Sequence, residues 1–305
     1  MAPIIMTESV TTSINPTITQ FCHQTWQLDA NVQLIERNDQ WLYLVTDQTP
    51  FHPVSHIWPD HPADKGTVTI GGETIVVEDC FVGAVNLTNG QLFVDKAIPV
   101  KRNEPGWVFV VVHCLSNTTA ISPAEGEKVT LTVDKAYQQS LSRGHSAGHL
   151  AFLALNKVLS TEGYWRKEAD RKDPHGYNDF NSYAQETSFV TPDQCLDSYR
   201  LGKTLRKRGL NSVEMVEKLT EIEILVNQQV KVWLALQSKV DMVCDGDHLT
   251  DSRYWRCDLG ESIPVTMPCG GSHIDGLSDL GSMQVTLKET ALNYIEMQTN
   301  VIVAG

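Results

Sequence analysis

The sequence predicts an α+β protein: an N-terminal stretch of short strands, followed by helices packed on an antiparallel sheet. Three observations carry that prediction. β-branched and aromatic runs, punctuated by Gly and Asn, fill Trp26 to Val133. Apolar residues at helical spacing follow Asp134 and again follow Asn211. Short strand-like segments between glycine-rich turns return after about residue 250.

Taken in order, residues 1–25 are rich in Thr, Ser and Ile without a clear period and read as a strand or an ordered arm. The runs at 41–45, 66–70, 74–82, 91–94, 106–115 and 128–133 read as strands. So many short strands with no helix between them suggest a small barrel or sandwich over 26–135. The rest, 136–305, reads as a second domain. Its segment 142–159 is rich in Ala and Leu, lacks Pro and has helical periodicity. Residues 160–195 read as polar and irregular. A second helix starts at Asn211, where Asn211 and Glu214 have capping-box spacing. Its apolar stripe runs through Val213, Val216, Leu219, Ile222, Val226, Val230 and Trp233, as core packing requires.

Hydrophobic residues at 41% and charged residues at 20% fit a soluble globular chain. No apolar run approaches the length that crosses a bilayer. The N-terminus lacks a basic region followed by a long apolar stretch, so no secretory signal is read there. Seven scattered cysteines, an odd number, argue for a reducing compartment, and the expected location is cytoplasmic. The net charge of −13 opposes phosphate binding in general, so any RNA contact needs a local basic patch. Arg200 to Arg208, with five Lys or Arg in nine residues, is the densest such run. It reads equally well as a solvated surface.

On a helix, residues four apart share a face, so His145 and His149 in HSAGH can present both imidazoles to one ion. Downstream, MPCGGSHI supplies Cys269 and His273, with Gly270 and Gly271 free to let thiolate and imidazole converge. Three His and one Cys form a borderline-soft set suited to Zn²⁺. By spacing alone each half is a weak motif, and two decoys share it. His52 and His56 sit among Pro50, Pro53 and Pro59, which forbid a regular helix. Cys244 and His248 lie in a polar, acidic stretch that reads as an exposed loop.

RGHSAGHL at 143–150 resembles the RxHTxxHLL segment of the editing domain of alanyl-tRNA synthetases, and CGGSHI at 269–274 resembles its CGGTHV. LGSMQV at 280–285 is similar to the IGxxxI continuation. TPFHP at 49–53 with PADKGTV at 62–68 resembles TPFYPEGGGQPSDxGxI, and SFVTPDQCLD at 188–197 and LVNQQV at 225–230 match further segments. The threonyl-tRNA synthetase editing domain is also similar. The likeness covers roughly residues 40–300. It implies a β-barrel joined to an α/β editing core, with zinc ligated by His145, His149, Cys269 and His273. It also implies hydrolysis of the ester in mischarged tRNA, with Ser or Gly removed from tRNA-Ala by a free-standing, trans-editing protein that holds the acceptor end.

Two stretches depart from that pattern. Val54 to Trp58 stand where the family has EGGGQ, within an altered loop over 54–61 that runs longer to Gly66, so Trp58 and His56 either stack on a terminal adenine or pack into the loop. Residues 288–300 lack the basic GxRRI element. Chemically, ester hydrolysis needs a nucleophilic water, here one bound to the zinc, and stabilisation of an oxyanion. Four protein ligands close a tetrahedral site, so a loose ligand or a fifth partner is required, or the ion anchors the substrate amine instead. The Gly270 and Gly271 N–H groups are oxyanion candidates. Ser146 either contacts substrate or bonds back to its own helix. A small-molecule ester or amide hydrolase on the same fold, and a non-enzymatic structural-zinc module, remain as alternative readings.

Overall fold

Strands in the N-terminal half bury alternate residues on opposite faces, because successive strand side chains point opposite ways. The computed structural model describes residues 14–119, 121 and 123–302; residues 1–13 of the expected arm lie outside these. The strands here are β1 (Ile18–Thr19), β2 (Gln27–Arg37), β3 (Trp41–Thr46), β4 (Gln48–Thr49), β5 (Gly66–Ile70) and β6 (Glu73–Val77). They continue with β7 (Asp79–Asn86), β8 (Leu92–Val94), β9 (Trp107–Ser116) and β10 (Lys128–Val133). Eight of them form one antiparallel sheet in the order β6-β5-β10-β2-β3-β9-β7-β8, and β1 pairs with β4 in parallel. Along β9, Phe109, Val111 and Leu115 enter one apolar cluster while Val108, Val110, Val112 and Cys114 enter another. The sheet is therefore covered on both faces there. Where strand spacing suggests a barrel, the pairing among the described residues leaves β6 and β8 as edges, with no ladder joining them.

The described chain divides into two compact units, and the division does not follow the sequence alone. The first holds the described residues up to Ile57, then Ala63–Val133 and the short insert Asp247–Asp251. The insert is tied in by Thr19 N–H to Asp247 O and Leu249 N–H to Thr17 O. The second unit takes Trp58–Pro62 together with Asp134–Gly246 and the described residues from Ser252 onward.

In the second unit the order is α1 (Lys135–Thr161), α2 (Phe180–Ala184), β11 (Gln185–Thr191), β12 (Gln194–Arg200), α3 (Lys203–Arg208), α4 (Ser212–Glu217) and α5 (Leu219–Leu234). Then come β13 (Val240–Cys244), β14 (Arg253–Cys257), β15 (Val265–Pro268), β16 (Ser282–Ala291) and β17 (Tyr294–Ile302). An antiparallel sheet runs β11-β12-β17-β16, and a second runs β13-β14-β15. α1 packs on β12 and β17 and against α5, and α5 packs on β16. The overall class is α+β, as the sequence predicts.

Differences from the sequence reading have local causes. α1 starts seven residues before the expected 142 because Asp134 caps it, its carboxylate accepting from Tyr137 N–H at 3.0 Å. Residues 160–195 are not wholly irregular; they contain α2 and β11. The Asn211–Glu214 capping box does not form, since the two side chains bond to each other instead of to the helix backbone. The chain then leaves helical geometry at Lys218, where φ is −107° and ψ 20°. That break rephases the apolar stripe, so Leu219, Ile222, Val226, Val230 and Trp233 are buried while Val213 is 59% exposed. Gly144 lets α1 press on the β11–β12 turn: a Cβ there would lie 2.6 Å from both Thr191 O and Gln194 O. Arg143 pairs with Asp193 in the same turn.

Candidate metal centre

Helical spacing alone turns His145 and His149 to one face of α1, and the segment after β15 brings Cys269 and His273 to that face. The ligand atoms of all four lie within 4.8 Å of one another. Cys269 Sγ is 3.5 Å from His145 Nε2, 3.7 Å from His149 Nε2 and 3.1 Å from His273 Nε2. Metal–ligand lengths of about 2.3 Å to sulfur and about 2.0–2.1 Å to nitrogen, at tetrahedral angles, give S···N edges of about 3.6 Å. The donor set and its spacing thus fit a zinc-sized cation. Neither decoy pair joins the group.

The surroundings prepare these side chains as ligands. Burial lowers the pKa of His149 to about 3, which keeps its imidazole neutral with a lone pair to donate. Trp255, fully buried, meets the His149 ring edge-on at 5.2 Å. Burial pushes the Cys269 thiol up to about 12, while the backbone N–H groups of Gly271 and Gly270 point at its sulfur and act the other way. A bound cation holds such a sulfur as thiolate. The sequence reading has those N–H groups binding an oxyanion; here their partner is the thiol. Gly271 is required by contact, since a Cβ there would lie 2.5 Å from His145 Cε1 and 2.6 Å from its Nδ1. Gly270 has no neighbour within 4 Å of such a Cβ.

Ser146 is fully buried and does not bond back to its own helix. Its Oγ lies 2.9 Å from His273 Nδ1 and accepts from Ile274 N–H at 3.3 Å. Its partners thus lie on the segment after β15 and not on its own helix.

A cavity of about 90 Å³ opens beside the cluster, lined in part by His145, His149, Phe152, Gln185 and Ser188. Two carboxyls also line it. Asp197 is 2% exposed, accepts from Gln185 Nε2 at 2.9 Å, and has its pKa raised to about 6 by burial. Asp60 is likewise raised to about 6 by burial, with the Trp58 indole and two backbone N–H groups opposing. Asp60 O accepts Val190 N–H at 2.7 Å, which ties the Trp58–Pro62 segment to β11. Trp58 lines the cavity and is 47% exposed, not packed away. His56 belongs to the first unit, its ring 6.0 Å from Phe109.

Sequence reasoning misses a fourth imidazole. His61 is 3% exposed, its ring centroid 5.1 Å from that of His145. Nδ1 lies 2.8 Å from Pro62 O and Nε2 3.3 Å from Ser272 Oγ, which also accepts from Ser142 Oγ at 2.9 Å. Burial lowers its pKa to about 4. Asp60, His61, Gln185 and Asp197 carry no metal-motif spacing. The available signal is that Asp60 and His61 fall in the stretch that departs from the resembled family.

No protein-family model matches the chain. Among curated proteins, it is 25% identical over 262 residues to the alanine–tRNA ligase of Opitutus terrae, covering 84% of this chain and 23% of that enzyme. It is 26% identical over 256 residues to that of Saccharophagus degradans, covering 80% and 22%. It is 24% identical over 272 residues to that of Pseudothermotoga lettingae, covering 89% and 26%. The chain thus spans about a quarter of the length of the curated relatives it matches. Their similarity, joined to the ligand motifs, makes this chain a relative of the alanyl-tRNA synthetases that fits their editing-domain family.

Proposed function

We propose that the chain is a zinc-dependent hydrolase that deacylates mischarged aminoacyl-tRNA in trans, of the Ser- or Gly-tRNA-Ala type, in the cytoplasm. The observation that carries the reading is the meeting of three imidazoles and one thiol, with two of the imidazoles, His145 and His149, on the wall of a cavity. His145, His149, Cys269 and His273 would hold the ion. Bound there, zinc supplies Lewis acidity, lowering the pKa of a water to about 7 and polarising a carbonyl.

The chain's own residues do the remaining work. Asp60 and Asp197, ionised above pH values of about 6, give the cavity negative charge that attracts the α-ammonium group of an aminoacyl ester. Their pKa values also lie close enough to neutrality to accept a proton released by hydrolysis. Gln185 holds Asp197 in place through its amide. Trp58 and Phe152 supply apolar wall, and a volume near 90 Å³ suits a small aminoacyl group. Ser146 fixes the ring of His273.

Four ligands are also the pattern of a closed structural zinc. That two of the four, His145 and His149, border the cavity supports the catalytic reading. A hydrolase of small esters or amides is the second reading, favoured by the bulky Val54–Trp58 stretch and by the charge of −13. The test is deacylation of several mischarged tRNAs by zinc-loaded protein against a metal-stripped control. Equal rates in both would reject the hydrolase reading. Turnover of small aminoacyl esters as fast as of the tRNA would move the assignment to the second reading, because truncated substrates of a tRNA-directed enzyme lose rate.

A further inference from the structure

The positive run Arg200 to Arg208 stands where β12 ends and α3 begins, on a chain whose net charge is −13. It borders a second cavity of about 760 Å³, walled by Tyr183, Gln185, Arg200, Lys203, Arg206 and Tyr294 among others. Lys203 and Arg206 are exposed. No ion pair within the second unit involves either of them among the described residues. Arg200 has only an exposed contact with Glu186 at 3.6 Å, which contributes little in water. Two more guanidiniums, those of Arg171 and Arg208, lie over the Tyr183 ring at 5.2 and 4.5 Å.

Gln185 lines both this groove and the small cavity at the four-ligand cluster. A volume near 90 Å³ admits only a small group, so the bulk of any larger substrate must lie outside it. The adjoining groove is wide, cationic and carries an aromatic ring, Tyr294, on its wall. Cations matched to successive phosphates, with an aromatic face for an unpaired base, are the features that hold single-stranded nucleic acid.

Resting on the proposed function, we infer that this groove seats the single-stranded end of an RNA, with Lys203 and Arg206 as phosphate contacts, and directs its terminal group past Gln185 toward His145 and His149. The partner is thus bound through a local patch that the overall charge hides.

Binding of a fluorescent, unacylated single-stranded RNA of about eight nucleotides, followed by anisotropy over a range of salt, tests this without any need for hydrolysis. The double variant Lys203→Ala/Arg206→Ala is expected to weaken binding at least tenfold. It should also reduce the slope of log affinity against log salt by roughly 1.4, two phosphate contacts at about 0.7 each. Both side chains are exposed, so melting temperature and zinc content should stay at wild-type values. Lys231→Ala, an exposed cation on α5, should leave the affinity unchanged. Undiminished binding by the double variant, an equal loss in Lys231→Ala, or equal binding of a blunt RNA duplex would each overturn the inference. So would displacement of the RNA by an equal concentration of poly-glutamate. Failure here leaves zinc-dependent hydrolysis of small esters untouched, and absence of hydrolysis leaves this binding result standing.

Discussion

Ser146 holds His273 by one ring nitrogen while the other faces the thiol: Oγ lies 2.9 Å from Nδ1, and Nε2 lies 3.1 Å from Cys269 Sγ. A hydroxyl accepting from Nδ1–H leaves Nε2 with its lone pair for a cation, so the contact selects the ligating tautomer. Ser146→Ala is expected to weaken zinc affinity by about 10–100-fold. It should also cost about 1–3 kcal/mol, because the Ile274 N–H loses its buried acceptor at the same time. Titration against a competing chelator measures the first effect and denaturant unfolding the second. Unaltered zinc affinity would show that the hydroxyl does not orient the ring.

Gly270 and Gly271 are adjacent in sequence and should respond oppositely to the same change. A Cβ on Gly271 would lie 2.5 Å from His145 Cε1, too close for the imidazole to keep its place, whereas a Cβ on Gly270 meets nothing within 4 Å. Gly271→Ala is therefore expected to lose stoichiometric zinc, and Gly270→Ala to retain it with a stability change of about 0.5 kcal/mol or less. Metal content of the two purified variants checks the contrast. Equal zinc in both would mean that the backbone at Gly271 can withdraw from His145.

How far the site is legible in the sequence depends on how local its causes are. His145 and His149 share a face because helical periodicity alone dictates it, and Cys269 and His273 are close because only three residues separate them. Their meeting requires tertiary packing, and there the resemblance to a family supplies what spacing lacks. Asp60, His61 and Asp197 are another matter. They reach the cluster through contacts such as Val190 N–H to Asp60 O, which join segments some 130 residues apart, and the sequence marks only that this loop departs from the resembled family, not where it packs. The same division runs through the fold. The β-branched strands at 41–46, 66–70 and 128–133 are readable from composition, whereas the polar edge positions of β2 hide its period. The helix break at Lys218 leaves no mark in the helical stripe, which runs on from Val213 to Trp233 without a Pro or Gly.

Cys269 contributes the only thiolate of the set, and burial alone would keep it protonated, its pKa pushed up to about 12. Charge neutralisation of the bound cation therefore rests on this residue. Cys269→Ser is expected to lower zinc content and hydrolytic activity together. In the wild type, zinc at about 100 times its dissociation constant should stabilise the fold by about 2.7 kcal/mol, and the variant should show little of this gain. Thermal melts with and without added zinc, beside metal analysis, provide the check. Full zinc occupancy in the variant would remove Cys269 from the ligand set.

Asp197 should trade stability for function. Its carboxyl is 2% exposed, and burial raises its pKa from 3.8 to about 6. Between those two values the folded chain keeps a proton that the unfolded chain releases, so stability falls as pH rises through the window. It levels off above pH 6, about 3 kcal/mol lower on this account. Asp197→Asn removes this residue's share of the dependence, leaving that of Asp60, while its amide oxygen still accepts from Gln185 Nε2, the contact that measures 2.9 Å in the native side chain. At pH 7 the variant should melt higher than the wild type by roughly 5 °C, and near pH 4 the two should converge. At neutral pH it should also raise KM for aminoacyl esters, having lost the charge that attracts the ammonium group, with zinc content unchanged. Melting curves at both pH values, paired with kinetics at pH 7, decide the matter. A variant no more stable than wild type at pH 7 would mean that Asp197 is not a buried charge, and an unchanged KM would remove it from substrate binding.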